Sequence, residues 1–337
     1  MRKPKFLIAA TLVAACLCVG FSPIGQFDAE AAAIEYYIGG MTAGFTLSAG
    51  GAEIIGLNDV VSEDGIHRPA EDAGIKIGDC ICAVGGVPVK SITDLNAALE
   101  RSCGKTVTLR VKRGGDTADV QATPVKEKKS GKYKIGVLIR DSLAGLGTVT
   151  YIRKDNLRFG ALGHAVCDEN RNPLEISTST VYRCSIVGVN KGVRGKAGEL
   201  RGLFLGENIA TAEKVCAQGL YGTFSKNYDF SHSETVEAAP VSEATIGKAV
   251  IYSTIDGVCP QQYEIAIAKV DANNKECKNF VIKVTDERLL EETGGIVQGM
   301  SGSPIIQNGK LIGAVTHVFL NDPTRGYGIG IENMLCN

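Results

Sequence analysis

The chain has no tryptophan, and aromatics make up only 6% of its 337 residues. Its cores must therefore rest on aliphatic side chains rather than on large aromatic anchors. Only four histidines are present, with no His-Glu-x-x-His or Cys-x-x-Cys pattern, which argues against a metalloenzyme. An excess of one charge is also missing. There are 36 Lys plus Arg and 37 Asp plus Glu, a formal net charge of −1. A protein that grips phosphate backbones carries a basic excess, so nucleic acid is excluded as a main partner. The longest apolar run, residues 6–20, is shorter than the about 20 residues a relaxed transmembrane helix needs. The composition also excludes a collagen-like, coiled-coil or mainly disordered chain.

What is abundant is glycine, with 41 residues, in a chain that is 44% hydrophobic and 22% charged. Many tight turns between short apolar segments predict a mainly β protein with few helices. The length predicts two domains. Residues 1–33 read as an export segment, a signal peptide or N-terminal membrane anchor. Arg2, Lys3 and Lys5 form a basic flank, the apolar run follows, and small residues come at Ala29, Ala31, Ala32 and Ala33. Of eleven cysteines, Cys16 and Cys18 fall in that segment; nine remain, an odd number, so at least one is expected to be unpaired.

Residues 39–125 form one unit. The glycine loop Gly39-Gly40-Met41-Thr42-Ala43-Gly44-Phe45 feeds a strand. Ile92, Leu95, Ala98 and Leu99 are spaced as the buried face of a helix, with Ser91 or Thr93 as cap and Gly104 beyond its end. The unit resembles a PDZ domain on Ala73-Gly74-Ile75, Gly78-Asp79-x-Ile81 and Gly86-x-Pro88-Val89. The resemblance implies that a peptide adds as a strand beside the one after the glycine loop. Its peptide-binding residues would be Ala43, Gly44 and Phe45, facing Leu95 and Leu99. Residues 126–134 are polar and basic and read as a solvated linker. Residues 135–337 carry short Val- and Ile-rich runs between glycine turns about every ten residues, as in an antiparallel barrel or sandwich. Asn308-Gly309 marks a hairpin within them.

The stretch Gly299-Met300-Ser301-Gly302-Ser303-Pro304 carries the chemistry. A nucleophilic serine needs an exposed hydroxyl on a tight turn and amides aimed at the developing oxyanion. Ser301 is preferred over Ser303, which runs directly into a strand. In a chymotrypsin-like arrangement the amides of Gly299 and Ser301 would form the oxyanion hole. His164, after Phe159-Gly160-Ala161-Leu162-Gly163, is the expected base. His67 and His232 read as surface residues, and His317 as a strand or pocket residue. For the orienting acid Asp286 leads on order and placement, with Asp168, Asp256 and Asp322 open. A thiol nucleophile at Cys167, near His164, lacks a glycine turn; Cys184, Cys216 and Cys259 read as packing or disulfide residues. No metal or cofactor is called for.

Longer stretches make the chain similar to the stage IV sporulation protein B peptidase family. They are Arg140-Asp141-Ser142-Leu143-Ala144-Gly145-Leu146-Gly147-Thr148, the segment ending at His164, Lys191-Gly192 with Gly198-Glu199, and residues 285–319 with Gly326-Tyr327-Gly328. The resemblance implies a PDZ domain followed by a chymotrypsin-like double β-barrel serine protease domain. It implies an exported endopeptidase of endospore-forming bacteria, acting between the two membranes around the forespore. Such enzymes cleave themselves and a membrane-bound regulator, so that an intramembrane protease activates a late mother-cell sigma factor. The family's catalytic residues fall on His164, Asp286 and Ser301. The PDZ unit would hold a partner's tail or the protease's own segment. The rival expectation is a non-catalytic PDZ scaffold in the exported compartment.

Overall fold

The computed structural model of the chain describes residues 34–167 and 178–336. The expected export segment and Asp168 lie outside the described residues. In chain order, β1 (Glu35–Ile38) and a long β2 (Thr42–Leu57) precede β3 (Cys80–Val84), α1 (Ile92–Ser102), β4 (Val107–Arg113) and β5 (Asp116–Ala122). A second long strand, β6 (Val137–Arg153), leads to β7 (Arg158–Ala161), β8 (Thr178–Asn190), β9 (Glu199–Cys216) and β10 (Gly219–Phe224). Then come β11 (Thr235–Ala238), β12 (Gly247–Ser253), β13 (Gln261–Val270), β14 (Phe280–Val284) and α2 (Glu287–Thr293). The chain ends with β15 (Pro304–Gln307), β16 (Lys310–Phe319), β17 (Asp322–Gly330) and α3 (Ile331–Leu335).

Two rings of antiparallel strands close on themselves. In the first, β6 pairs with β2, β2 with β8, β8 with β9, β9 with β10, β10 with β7, and β7 again with β6. In the second, the cycle is β12, β13, β14, β17, β16, β15 and back to β12. Closure leaves neither barrel with a free edge to template aggregation. β1 ties the barrels together by pairing with β6 and β11, and β11 runs parallel to β16. The fold is thus the expected double β-barrel.

Period-2 patterning explains the strands. Phe280, Ile282 and Val284 in β14, like Ile265 and Ile267 in β13, point into the second core beside Ile251, Met300 and Val315. Phe45, Val149, Phe159, Val181, Leu220 and Phe224 fill the first. Burying each such side chain is worth roughly 1.5–3 kcal/mol. Asn308 and Gly309, at φ 52° and 74°, make the two-residue hairpin between β15 and β16.

The PDZ sheet is built from the second half of β2 with β3, β4 and β5. Leu95, Ala98 and Leu99 of α1 pack onto Ile54, Ile81 and Leu109. The Ser91 Oγ accepts from the Asp94 amide at 3.1 Å and caps the helix.

Three expectations are corrected. Residues 42–47, placed by the sequence reading in the PDZ unit, belong to the first barrel, because β2 runs through both bodies. Residues 126–134 are not a solvated linker: Val125–Lys126 pairs with Tyr133–Lys134, and the Tyr133 amide donates to Glu100 Oε1 at 2.7 Å. Ala43, Gly44 and Phe45 cannot receive a peptide. They pair on one side with Gly145–Gly147 and on the other with Val181–Arg183, so no edge is free, and Ala43 and Phe45 lie in the barrel core. Leu95 and Leu99 do line a groove, but its other wall is residues 135–139 at the start of β6.

Candidate active site

The turn after α2 is held from both barrels. α2 ends at Thr293 with Gly294 as its cap, and the Thr293 hydroxyl donates to the Leu289 carbonyl at 2.7 Å. The Thr148 Oγ1 of β6 donates to the Gly299 carbonyl at 2.7 Å, and the Thr150 Oγ1 donates to the Gly302 carbonyl at 2.8 Å. The Thr148 amide donates to the Ser301 carbonyl at 2.9 Å. Gly302 has φ 96°, and a Cβ there would lie 2.0 Å from the Thr148 carbonyl oxygen, so no other residue fits. The amides of Met300 and Gly302 donate inward, to Val297 and Val315. Those of Gly299 and Ser301 donate to no group among the described residues. A turn with two uncommitted amides flanking a serine is the arrangement an oxyanion hole requires.

Ser301 and Gly299 line a cleft of ≈ 560 Å³ together with His164 and His317. The cleft lies where β2, β6, the segment after β7, β16 and the serine turn meet, and most of its wall is aliphatic, including Leu47, Leu146, Ile296 and Val318. The Ser301 Oγ donates to the Thr316 carbonyl at 2.8 Å. His164 follows a turn in which Leu162 and Gly163 both have φ 71°. Its Nδ1 lies 2.8 Å from the Ala165 carbonyl. A carbonyl only accepts, so Nδ1 carries the proton and Nε2 keeps the lone pair. Burial lowers the His164 pKa, against the opposing effect of that hydrogen bond. The His317 ring lies 5.1 Å from the His164 ring, centroid to centroid, and its pKa is lowered by burial, then by His164 and Lys278.

The structure brings His164, Gly299 and Ser301 together, but does not bring Asp286 to His164. Asp286 is the N-cap of α2: its Oδ1 accepts from the Leu289 amide at 3.1 Å and its Oδ2 from the Glu264 amide at 3.3 Å. A strand that runs straight into a helix needs such a cap, and the Asp-Glu-Arg-Leu sequence supplies it. No carboxylate contacts the His164 ring among the described residues. Asp322 accepts from the amide and hydroxyl of Thr324, and Asp256 is exposed. Ser303 is fully buried. His67 contacts Ser62 and Asp64 within a PDZ turn, and His232 is exposed. Cys167 lines the cleft; it, Cys184, Cys259 and five other described cysteines are free thiols, and the Cys216 Sγ donates to Gln218 Oε1 at 3.2 Å. Among the described residues no group of three or more His, Cys, Asp or Glu could hold a metal. The sequence reading missed Thr148 and Thr150, whose partners lie 151 and 152 residues along the chain and leave no local pattern, and Thr316, 15 residues from Ser301.

Comparison with known proteins places the chain in a family. The sequence model of the SpoIVB peptidase S55 family matches residues 131–335, and a PDZ domain model matches residues 47–123. Serine protease HTRA1 of Xenopus tropicalis is 39% identical over 56 residues, which is 17% of this chain and 12% of that protein. A protein of Lactococcus lactis named as a zinc metalloprotease is 34% identical over 70 residues, 21% of this chain and 16% of its own length. The chain thus spans less than a fifth of either relative. The solved PDZ domain of the SdrC-like protein from Listeria monocytogenes matches 27% of this chain and 90% of its own, at 24% identity and a TM-score of 0.22.

Proposed function

This chain belongs to the SpoIVB peptidase S55 family, and we propose that it is a serine endopeptidase of sporulation whose nucleophile is Ser301 and whose base is His164. The observation that carries this reading is the cleft shared by the imidazole, the serine and the two uncommitted amides. The Ser301 hydroxyl leaves the Thr316 carbonyl by rotation about its side-chain bond. His164 Nε2 takes its proton as Oγ attacks the peptide carbonyl, and the Gly299 and Ser301 amides receive the oxyanion. The imidazolium then protonates the leaving amine. The Ala165 carbonyl keeps the ring in the required tautomer. Asp286 works at one remove, by capping the helix that leads into the serine turn.

The substrate is an extended polypeptide with apolar side chains beside the scissile bond, since aliphatic residues form most of the wall. The family points to two substrates, the enzyme's own chain and a membrane-bound regulator. Cleavage of the regulator frees an intramembrane protease that activates a late mother-cell sigma factor. Residues 1–33 direct the chain across the forespore membrane into the intermembrane space. A fluorophosphonate probe tests the chemistry. Wild-type protein is labelled, and Ser301→Ala and His164→Gln lose labelling and self-cleavage together. Labelling that persists in Ser301→Ala would sink the assignment. No labelling of the wild type, with unchanged processing in the variant, would favour a scaffold.

A further inference from the structure

We infer that the outer face of the β8–β9 ribbon, with its basic tip, docks on an anionic lipid bilayer. The ribbon runs from Arg183 to Glu207 and sets Cys184 opposite Phe204, Ser185 opposite Leu203, Ile186 opposite Gly202 and Val189 opposite Leu200. Side chains alternate across it. Cys184, Ile186 and Leu200 are buried and belong to the second core. The opposite face is open: Val187, Leu203 and Leu205 are 62%, 59% and 46% exposed. Leu203 and Leu205 stand two apart on β9. Val187 is the extra residue of a bulge between the Ile186–Gly202 and Gly188–Arg201 pairs, so the three are neighbours on one surface. Exposed aliphatic side chains grouped on a strand pair mark an interaction surface. This group has no aromatic member and so lacks the anchors that protein interfaces favour.

Charge identifies the occupant. Arg183, Lys191, Arg194, Lys196 and Arg201 stand on the ribbon against only Glu199 and Glu207, in a chain whose formal net charge is −1. Both acids are engaged: Glu207 pairs with Arg183 at 3.4 Å, and Glu199 accepts from the Asn190 side-chain amide at 2.6 Å. The Lys191 Nζ donates to the Glu291 carbonyl. Arg194, Lys196 and Arg201 are exposed and form no ion pair among the described residues. Aliphatic side chains flanked by unpaired cations suit the interface of an anionic bilayer, where the acyl boundary receives the first and the lipid phosphates the second. The tip is fixed in advance. The Gly192 amide donates to the Thr293 carbonyl at 2.8 Å, and the Gly195 amide to the Leu320 carbonyl at 2.7 Å. Val193, between these two in sequence, is 56% exposed. Ala197 and Leu320 also line the catalytic cleft, so docking holds the mouth of the cleft near the bilayer. That consequence serves a membrane-bound substrate and rests on the proposed function; the docking itself does not.

The test uses the full chain in a Ser301→Ala background, to suppress self-cleavage. The apolar run of residues 6–20 adheres to bilayers of any charge, so the readout is local to the ribbon. The chain has no tryptophan, and Leu203→Trp supplies a single fluorophore on the outer face. On vesicles of phosphatidylglycerol and phosphatidylcholine in equal parts, its emission is expected to shift to the blue and to be quenched by brominated acyl chains. Both effects are expected to be lost on phosphatidylcholine alone. They are also expected to be lost on the anionic vesicles at about 1 M salt, where the Debye length is about 3 Å. Adding Arg194→Glu and Lys196→Glu is expected to abolish them as well, since each cation near an anionic surface contributes about fivefold to binding. Ile77→Trp, at an exposed site of the PDZ domain, is expected to report water throughout. No shift of Leu203→Trp on anionic vesicles overturns the inference, and so does an equal shift on neutral ones. An equal shift at Ile77→Trp means adsorption without a defined face, and the inference fails. A shift that grows with protein concentration before any vesicle is added makes a second copy the occupant and likewise overturns it. If Leu203→Trp does not fold, Leu205→Trp is read in its place.

Discussion

His164 and His317 share one wall of the cleft, and burial moves both toward the neutral form. A base whose pKa is lowered is already neutral at the ordinary imidazole value of about 6.5. The acid limb of kcat/KM is therefore expected below about pH 6.5, and a limb above that value would contradict the burial argument. Stability moves in the same direction. Between the folded and unfolded pKa values the unfolded chain binds more protons, so stability rises with pH through that window and falls in acid. Tm measured from about pH 5 to 7.5 should drop on the acid side, and less so in His317→Gln. The residues at this scale were unequally legible. Ser301 and His164 stand in glycine-flanked turns that mark themselves locally. Thr148 and Thr150 do not, because each becomes a clamp only when the barrel closes around the serine turn. Asp286 has a local signal that supports two readings, a carboxylate at a strand end and a helix cap, and the folded chain uses the second.

α2 and the turn after it act as one element, and two substitutions separate their parts. Asp286→Ala removes the acceptor for the Leu289 and Glu264 amides. The expected cost is ~1 kcal/mol, within the usual span for N-caps, read from urea denaturation. A loss several times larger would mean that the carboxylate does more than cap. Gly302→Ala is expected to be far worse, since its Cβ meets backbone on both sides, Thr148 O at 2.0 Å and Leu162 N at 2.6 Å. Neither contact can swing aside as a side chain would. Circular dichroism should report a retained β-rich fold at most, with fluorophosphonate labelling lost; a fully labelled variant would mean the turn can open without cost. The strands and the Asn308-Gly309 hairpin were readable because period-2 burial and paired positive φ leave local traces. The continuity of β2 was not. Ser48-Ala49-Gly50-Gly51 reads as a break, yet the strand runs through it, because its neighbour β6 is equally long and pairs with it on both sides of that point.

At the scale of the whole molecule, the PDZ domain is an insertion between two paired strands of the first barrel. Ser48 and Ser142 stand opposite each other in the β2–β6 ladder, and everything between them belongs to the PDZ domain, the first residues of β6 included. The hydrophobic cores respect that division. The PDZ core draws on residues from Ala52 to Ile135, with Val137 and Ile139 against it, whereas the core of the first barrel takes Ala43, Phe45 and Leu47 from β2 and resumes at Val149. The linear order of the chain conceals this, since β2, the first barrel's earliest strand, precedes the PDZ residues and the remainder follows them. Joining Ser48 to Ser142 through Asn-Gly, in place of residues 49–141, would leave an antiparallel pair closed by a two-residue hairpin, whose turn favours the native twist. Residues 42–48 would keep their pairing with 142–148 on one edge and with Thr178–Arg183 on the other. The clamps from Thr148 and Thr150 to the serine turn lie wholly inside the retained part. The shortened protein is therefore expected to fold, to unfold in one cooperative step, and to react with the fluorophosphonate probe at Ser301. A folded but unlabelled product would show that the PDZ domain completes the catalytic site, which no hydrogen bond between the domain and the serine turn requires.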